Sequence, residues 1–223
     1  VSKVNVIAID GPAGSGKSTV AKEVAGRLGF LYIDTGAMYR ALTLKAIKEA
    51  VDFNNEQALS RLAAEVDIQL KMHRGSLQVM LDGKEVGKAI RKQALTEKVR
   101  FVAAIAGVRK EMLKLQRRLA GASKSGAVLE GRDIGTVVFP GAEYKFYLDA
   151  YPEERAKRRY KELKQMGQKI SLKALARDIK IRDRDDMTRD VAPLAKARDA
   201  IYIDTTELTV NDVVEQIIKK CSI

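Results

Sequence analysis

The sequence predicts a doubly wound α/β protein: about five parallel strands alternating with helices, plus a small antiparallel β insert. Two patterns predict it. Short, nearly continuous apolar runs rich in β-branched residues recur between helical stretches, as strands covered on both faces do. One central stretch instead alternates apolar and polar residues, as a sheet with one open face does. With 223 residues, 46% of them hydrophobic, the chain can bury one large core and is too apolar to be disordered.

The elements follow in order. Val4-Asn5-Val6-Ile7-Ala8-Ile9 is the first buried strand. A glycine-rich turn leads into a helix from about Lys17 to Leu28, which Gly29 ends. Phe30–Ile33 is a second short strand, and Asp34-Thr35 caps a helix from about Gly36 to Ala50. Val66–Leu70 and Leu77–Leu81 alternate in polarity and are bounded by turns at His73-Arg74-Gly75-Ser76 and Asp82-Gly83-Lys84. They form the antiparallel insert. Helices resume from about Lys92 to Ala120, and Ala127–Glu130 and Tyr144–Asp149 are further buried strands. Pro152 to about Ala197 is strongly charged and mostly helical, and Ala200–Asp204 is the last strand. The closing helix carries Val210, Val213, Val214, Ile217 and Ile218 at a 3.6-residue period, with Thr209 and Asp212 as a capping box.

Composition narrows the function classes. Lys and Arg number 41 against 29 Asp and Glu, giving a formal charge of +12 and a pI of about 9.7. Such a surface suits polyanions: nucleic acid, an anionic membrane or small phosphorylated molecules. Cys221 is the one cysteine, so no internal disulfide forms. His73 is the one histidine and sits in a basic turn, badly placed for a Ser-His-Asp triad; a multi-Cys/His zinc site is impossible. No apolar run approaches the ~18–20 residues that span a membrane. No secretory signal opens the sequence, and a cytoplasmic protein is expected.

The most specific motif is Gly11-Pro12-Ala13-Gly14-Ser15-Gly16-Lys17-Ser18, which fits G-x-x-x-x-G-K-[ST] at every fixed position. It lies after a buried strand and before a helix, where a P-loop must lie. Its glycines let backbone N–H groups and the helix N-terminus close on a polyphosphate. Lys17 is expected to reach the β- and γ-phosphates of ATP, and the Ser18 hydroxyl to hold Mg2+. The missing signatures argue against a GTPase: no Asn is followed by Lys, and no Asp has Gly three residues later.

Arginines are the remaining clue. Arg40 follows the Asp34-Thr35-Gly36 turn, Arg132 follows a strand end, and Arg182, Arg184 and Arg189 lie in the charged segment. If the phosphoryl acceptor is itself a phosphate, it is already ionised and needs cations, not a general base. An Arg-rich site without His suits that chemistry. Residues 152 to 198 hold fifteen Lys/Arg and eight Asp/Glu. That excess suits a basic lid over phosphates, and it also suits nucleic-acid contact. Arg155-Ala156-Lys157-Arg158-Arg159 reads as a solvated helix face or an RNA-binding stripe. The alternating signs of Arg182-Asp183-Arg184-Asp185-Asp186 favour a salt-bridged, specific surface.

Taken together, the motifs resemble the bacterial cytidylate kinases. Ile9-Asp10-Gly11-Pro12-Ala13-Gly14-Ser15-Gly16-Lys17-Ser18-Thr19 is similar to that family's opening, as is Asp34-Thr35-Gly36-Ala37-Met38-Tyr39-Arg40. Glu130-Gly131-Arg132-Asp133-Ile134-Gly135-Thr136, with Val138-Phe139-Pro140, resembles its central block. Arg182-Asp183-Arg184-Asp185 through Val191-Ala192-Pro193-Leu194 resembles its lid. The resemblance covers nearly the whole chain, in order. It implies transfer of the γ-phosphate of ATP to CMP or dCMP with Mg2+. It also implies one kinase domain over residues 1–223, with a monophosphate-binding insert at about 60–90 and a lid at about 152–190.

Residue by residue, Gly11 through Thr19 and Arg158 would bind ATP. Lys17, Arg132, Arg182 and Arg189 would serve catalysis. Arg40, Arg132 and Arg189 would grip the CMP phosphate, and Arg182 and Asp186 would lie near the ribose. Arg109 and Asp133 would address cytosine, and Thr35 and Glu130 complete the acceptor set. An Arg can serve cytosine O2 and N3 and a carboxylate its amino group; uracil reverses the last two polarities, a discrimination of about 1–3 kcal/mol for a bidentate-type contact. The family commonly has Asp where Glu130 stands and tends to place Ser where Arg100 stands, so UMP stays open as an acceptor beside CMP. The expected partners are small molecules; a membrane and nucleic acid are not expected, and the chain is read as a monomer.

Overall fold

The computed structural model describes residues 5–73 and 76–221. Val4 of the first expected strand and the turn residues Arg74 and Gly75 lie outside the described residues. The chain forms two compact units, one comprising residues up to Tyr32 and from Ala120 onward, the other Ile33–Leu119.

The strands and helices run as follows: β1 (Val6–Asp10), α1 (Lys17–Leu28), β2 (Leu31–Asp34), α2 (Thr35–Lys48), α3 (Glu56–Glu65), β3 (Ile68–His73), β4 (Ser76–Leu81), β5 (Lys84–Glu85), α4 (Gln93–Ala104), α5 (Ala106–Gly121), β6 (Ala127–Gly131), β7 (Tyr144–Asp149), α6 (Pro152–Gln165), α7 (Leu172–Thr188), β8 (Ile201–Asp204) and α8 (Val210–Cys221). Five strands form a parallel sheet in the order β2-β6-β1-β7-β8. β1 is buried at every position because both neighbours pair with it: Asp10 lies opposite Gly131 on one side and Tyr147 on the other. The carboxyl ends of β1, β6 and β7 therefore share one edge, the edge at which open α/β sheets bind ligands.

Each end of α1 has a physical cause. Gly16 and Gly29, which flank it, both adopt left-handed backbone, and the Gly29 N–H closes on the carbonyls of Ala25 and Gly26. Val213, Val214 and Ile217 of α8 are buried, as the period requires, and the Thr209–Asp212 box forms. The helices α6 and α7 pack on their own small core of Ala156, Leu163, Leu175 and Ile179.

In the second unit, Asp34 caps α2 by accepting the Ala37 N–H at 2.7 Å, so the helix starts at Thr35, one residue before the expected position. The antiparallel sheet runs β3-β4-β5, with Ile68 opposite Leu81. His73 ends β3 instead of lying in the turn.

The helices expected over 92–120 are α4 and α5, parted at Ile105, which takes extended backbone with φ −76° and ψ 120°. Two features differ from the sequence expectation. The charged segment is mostly helical as expected, over α6 and α7, but helix ends at Thr188, short of Ala197. After β6 the chain makes a π-helical turn, Ile134–Val138, in which the Val138 N–H donates to the Asp133 carbonyl at 3.1 Å. Such turns are rare and carry no simple sequence period.

Candidate active site

The phosphate loop joins β1 to α1 and is built on three glycines with positive φ: Gly11 at 147°, Gly14 at 78° and Gly16 at 90°. At two of them space is as decisive as backbone angle. A Cβ on Gly11 would stand 2.0 Å from the Leu148 carbonyl oxygen, and one on Gly14 2.7 Å from that of Arg155. The sheet and α6 thus press directly on the loop.

Lys17 opens α1 and is folded back on that loop. Its Nζ donates to the Pro12 carbonyl at 2.7 Å and to Ser15 Oγ at 3.5 Å. Burial first, then the nearby positive charges of Arg132 and Arg182, pull its pKa down to about 7, with Glu130 and Asp10 opposing. Ser18 and Thr19 are exposed on the first turn of α1. Asp10, one residue before the loop, accepts the N–H groups of Ile134 at 2.8 Å and Gly135 at 2.7 Å. Burial pushes its pKa up to about 6 despite those two bonds.

The arginines and acids of this unit assemble as a network. Arg132 Nε donates to Asp186 Oδ2 at 2.8 Å, and Arg189 Nη1 to Asp186 Oδ1 at 3.3 Å. Arg189 Nη2 lies 3.9 Å from Asp133 Oδ1, and its Nε donates to the Ala192 carbonyl at 2.8 Å. Burial would raise Asp186, but Arg132, Arg182 and Arg189 outweigh it and hold its carboxyl below the usual range. Burial likewise opposes the Arg132 charge, and Asp186 overcomes it. Glu130 is buried and accepts from the Tyr32 hydroxyl at 3.1 Å. So Lys17, Glu130, Arg132, Asp133, Arg182, Asp186 and Arg189, scattered through the sequence, belong to one charged cluster.

Arg158 has a defined place too. Its Nη1 donates to Thr205 Oγ1 at 2.9 Å and its Nη2 to the Thr206 carbonyl at 3.2 Å, while Thr205 Oγ1 reaches the Ser15 carbonyl at 3.1 Å. The Thr205–Thr206 turn therefore bridges Arg158 and the phosphate loop. The reading of residues 155–159 as one solvated face or RNA stripe fails at two positions: Arg155 is buried, and Arg158 is held by this turn.

In the other unit, Thr35 and Arg40 lie on α2 and Arg109 on α5. Thr35 is buried. Arg40 Nη2 donates to Asp34 Oδ2 at 3.1 Å, and its buried Nε has no hydrogen-bond acceptor among the described residues. Arg109 Nη1 donates to the Ala103 carbonyl at 3.0 Å, and its guanidinium lies 5.6 Å from the centroid of the Tyr39 ring.

Sequence reasoning missed four participants: Asp10, Arg155, Asp183 and Thr205. Asp10 could have been found, since a carboxylate closing a fully buried strand needs a purpose. Arg155 and Thr205 depend on long-range packing and carry no local signal; Asp183 lies in the alternating-charge run that reads as salt-bridged, but long-range packing chooses its partner. No group of three or more His, Cys, Asp or Glu suited to a metal occurs among the described residues. No helix among them is long and apolar enough to cross a membrane.

Comparison with known proteins accords with this geometry. A cytidylate kinase family model matches residues 7–222. The chain is 50% identical over 217 residues to a cytidylate kinase of Pelotomaculum thermopropionicum, covering 97% of this chain and 95% of that protein. It is 49% identical over 214 residues to a cytidylate kinase of Bacillus licheniformis, covering 96% and 94%. Among solved structures, an uncharacterized protein from Eubacterium ventriosum shares the fold with a TM-score of 0.53 at 15% identity, covering 97% of this chain and 98% of that one. A family match over nearly the full length, two relatives near half identity and the charged cluster around the phosphate loop agree: this chain belongs to the cytidylate kinase family.

Proposed function

We propose that the protein transfers the γ-phosphate of ATP to CMP and dCMP, giving ADP and the nucleoside diphosphate. The observation that carries the reading is the cation cluster at the phosphate loop. Burial first, and then the positive charges of Arg132 and Arg182, disfavour the charge on Lys17, as in a site that polyanions would neutralise. Gly11 through Thr19 hold the ATP phosphates, with Arg158 and its threonine turn on the ATP side. Arg132 and Arg189 grip the acceptor phosphate, and Arg182 and Asp186 serve its ribose. In the second unit Arg40 is assigned to the acceptor phosphate, a role its unanswered buried Nε supports. Arg109 and Asp133 are assigned to cytosine, and Thr35 and Glu130 to the acceptor set.

The residues fit an enzyme that aligns and neutralises instead of forming covalent intermediates. The acceptor phosphate arrives ionised, so no side chain need remove a proton. The arginines offset anion–anion repulsion as the two phosphates approach, and a closed lid keeps water from competing as acceptor. The exposed Ser18 hydroxyl at the start of α1, with no acidic cluster among the described residues, fits Mg2+ held chiefly by phosphates and water. When bound, Mg2+ supplies further charge neutralisation on the phosphates.

The protein is read as one cytoplasmic, monomeric kinase domain with its acceptor-binding insert at about 60–90 and its lid at about 152–190. The decisive experiment is ADP release measured over CMP, dCMP, UMP and AMP. CMP and dCMP should be turned over far faster than the others; equal or better turnover of UMP or AMP would defeat the assignment. UMP is the informative rival, because Glu130 and Arg100 stand where relatives of this family commonly carry other residues.

A further inference from the structure

We propose that Asp183, together with Arg155, is a positioning residue for phosphoryl transfer: the pair fastens Ala13 of the phosphate loop to the helices that carry Arg182 and Asp186. The inference rests on the phosphoryl-transfer reading above and adds two residues that bind no substrate in it.

Both residues are buried, with 7% exposure for Asp183 and 6% for Arg155, on helices whose surfaces are otherwise strongly charged and solvated. Asp183 Oδ2 accepts from Arg155 Nη1, and Asp183 Oδ1 accepts the Ala13 N–H at 3.4 Å. Arg155 Nη1 also donates to the Ala13 carbonyl at 3.1 Å, and its Nε to the Ala150 carbonyl at 2.9 Å. Ala13 is thus held at both of its backbone polar groups, the N–H by a carboxylate and the carbonyl by a guanidinium. The backbones meet as well, since Gly14 approaches the Arg155 carbonyl more closely than any side chain would allow.

A buried ion pair is a poor source of stability, because desolvation offsets most of its attraction. Apolar residues could join α6 to α7 as firmly, and Leu163, Leu175 and Ile179 already do. The charged pair adds direction: an acceptor and a donor aimed at one residue of the phosphate loop. Asp183 follows Arg182 directly and lies three residues before Asp186, which bonds Arg132 and Arg189. Fixing Asp183 therefore fixes the register of the charged row against the loop. Transfer between two phosphates is sensitive to such alignment, and a displacement of about 1 Å can cost about a hundredfold in rate.

The test is steady-state CMP-dependent ADP release by the full chain carrying Asp183→Asn or Arg155→Lys, assayed well below each variant's unfolding midpoint. Asp183→Asn keeps the shape and loses the charge. Its kcat should fall about ten- to a hundredfold, with KM for CMP within about twofold. Arg155→Lys keeps the ion pair but cannot also hold the Ala13 and Ala150 carbonyls. Its kcat should fall about tenfold with an unfolding midpoint near that of the wild type. If Asp183→Asn does not fold, Arg155→Lys carries the test. Variants that unfold earlier yet keep wild-type kcat would overturn the proposal, leaving the pair a structural tie. A wild-type protein that releases no ADP with any monophosphate would instead defeat the phosphoryl-transfer reading, and this inference with it.

Discussion

Lys17 shows how a single side chain can be identified by sequence and yet be understood only in place. Its motif assigns it to phosphates; the fold buries it beside Arg132 and Arg182 and so brings its pKa down to about 7. Only the cationic form attracts phosphate. As pH rises through about 7 the free enzyme loses that charge, so kcat/KM for ATP should fall above neutrality, by up to about tenfold per pH unit. At saturating ATP the bound phosphates restore the charge, and kcat should stay flat over the same range. A pH–rate profile checks this; a kcat/KM for ATP that is level to about pH 9 would refute the assignment. Lys17→Ala should abolish measurable turnover with the unfolding midpoint little changed. The residue-scale lesson is uneven. Gly11, Gly14, Gly16 and Lys17 were legible because motif spacing fixes them, whereas Arg132 and Arg189 take their roles from the family resemblance. Arg155 is buried where its sequence reads as exposed, because nothing in Arg155-Ala156-Lys157-Arg158-Arg159 says which side of α6 meets the phosphate loop.

The elements were legible wherever a stop signal or a period marks them. Gly29 ends α1, Asp34 starts α2, and the apolar period of α8 predicts its buried face. The Thr209–Asp212 box is the clearest case, with Asp212 Oδ2 accepting the Thr209 N–H at 2.9 Å and Thr209 Oγ1 accepting the Asp212 N–H at 3.2 Å. Thr209→Ala should cost about 1 kcal/mol of stability, seen as a lower unfolding midpoint, and leave kcat and both KM values unchanged. A fall in kcat would mean that α8 communicates with the site in a way the fold does not suggest. Where no signal exists, boundaries stay open: the break between α4 and α5 has no marker, because Ile105 is an ordinary helical residue by composition. The π-helical turn after β6 was equally hidden, since it is held by the Asp10 carboxylate, distant in sequence.

Across the whole molecule, the formal charge of +12 first suggested any polyanion. The fold gives part of it a definite use. Residues 152–198, with fifteen Lys/Arg against eight Asp/Glu, supply α6 and α7, and the site arginines there are tied into a network with Asp183, Asp186 and Arg132. If the field of this surface gathers ATP and CMP, raising ionic strength from about 0.05 to about 0.5 M should raise both KM values several-fold while kcat changes by less than about twofold. KM values indifferent to salt would mean that the excess charge plays no part in capturing substrate. By itself the sequence determined the α/β class, the phosphate loop and the antiparallel insert, because these depend on local periods and on fixed spacings within one segment; the family follows from the resemblance of motifs spread over nearly the whole chain. Only the tertiary structure decided which of the many charges face one another. Asp10 with the turn after β6, Arg158 with Thr205, and Asp183 with Arg155 and Ala13 are contacts between distant segments. Burial and charge select such pairs only once the chain has folded.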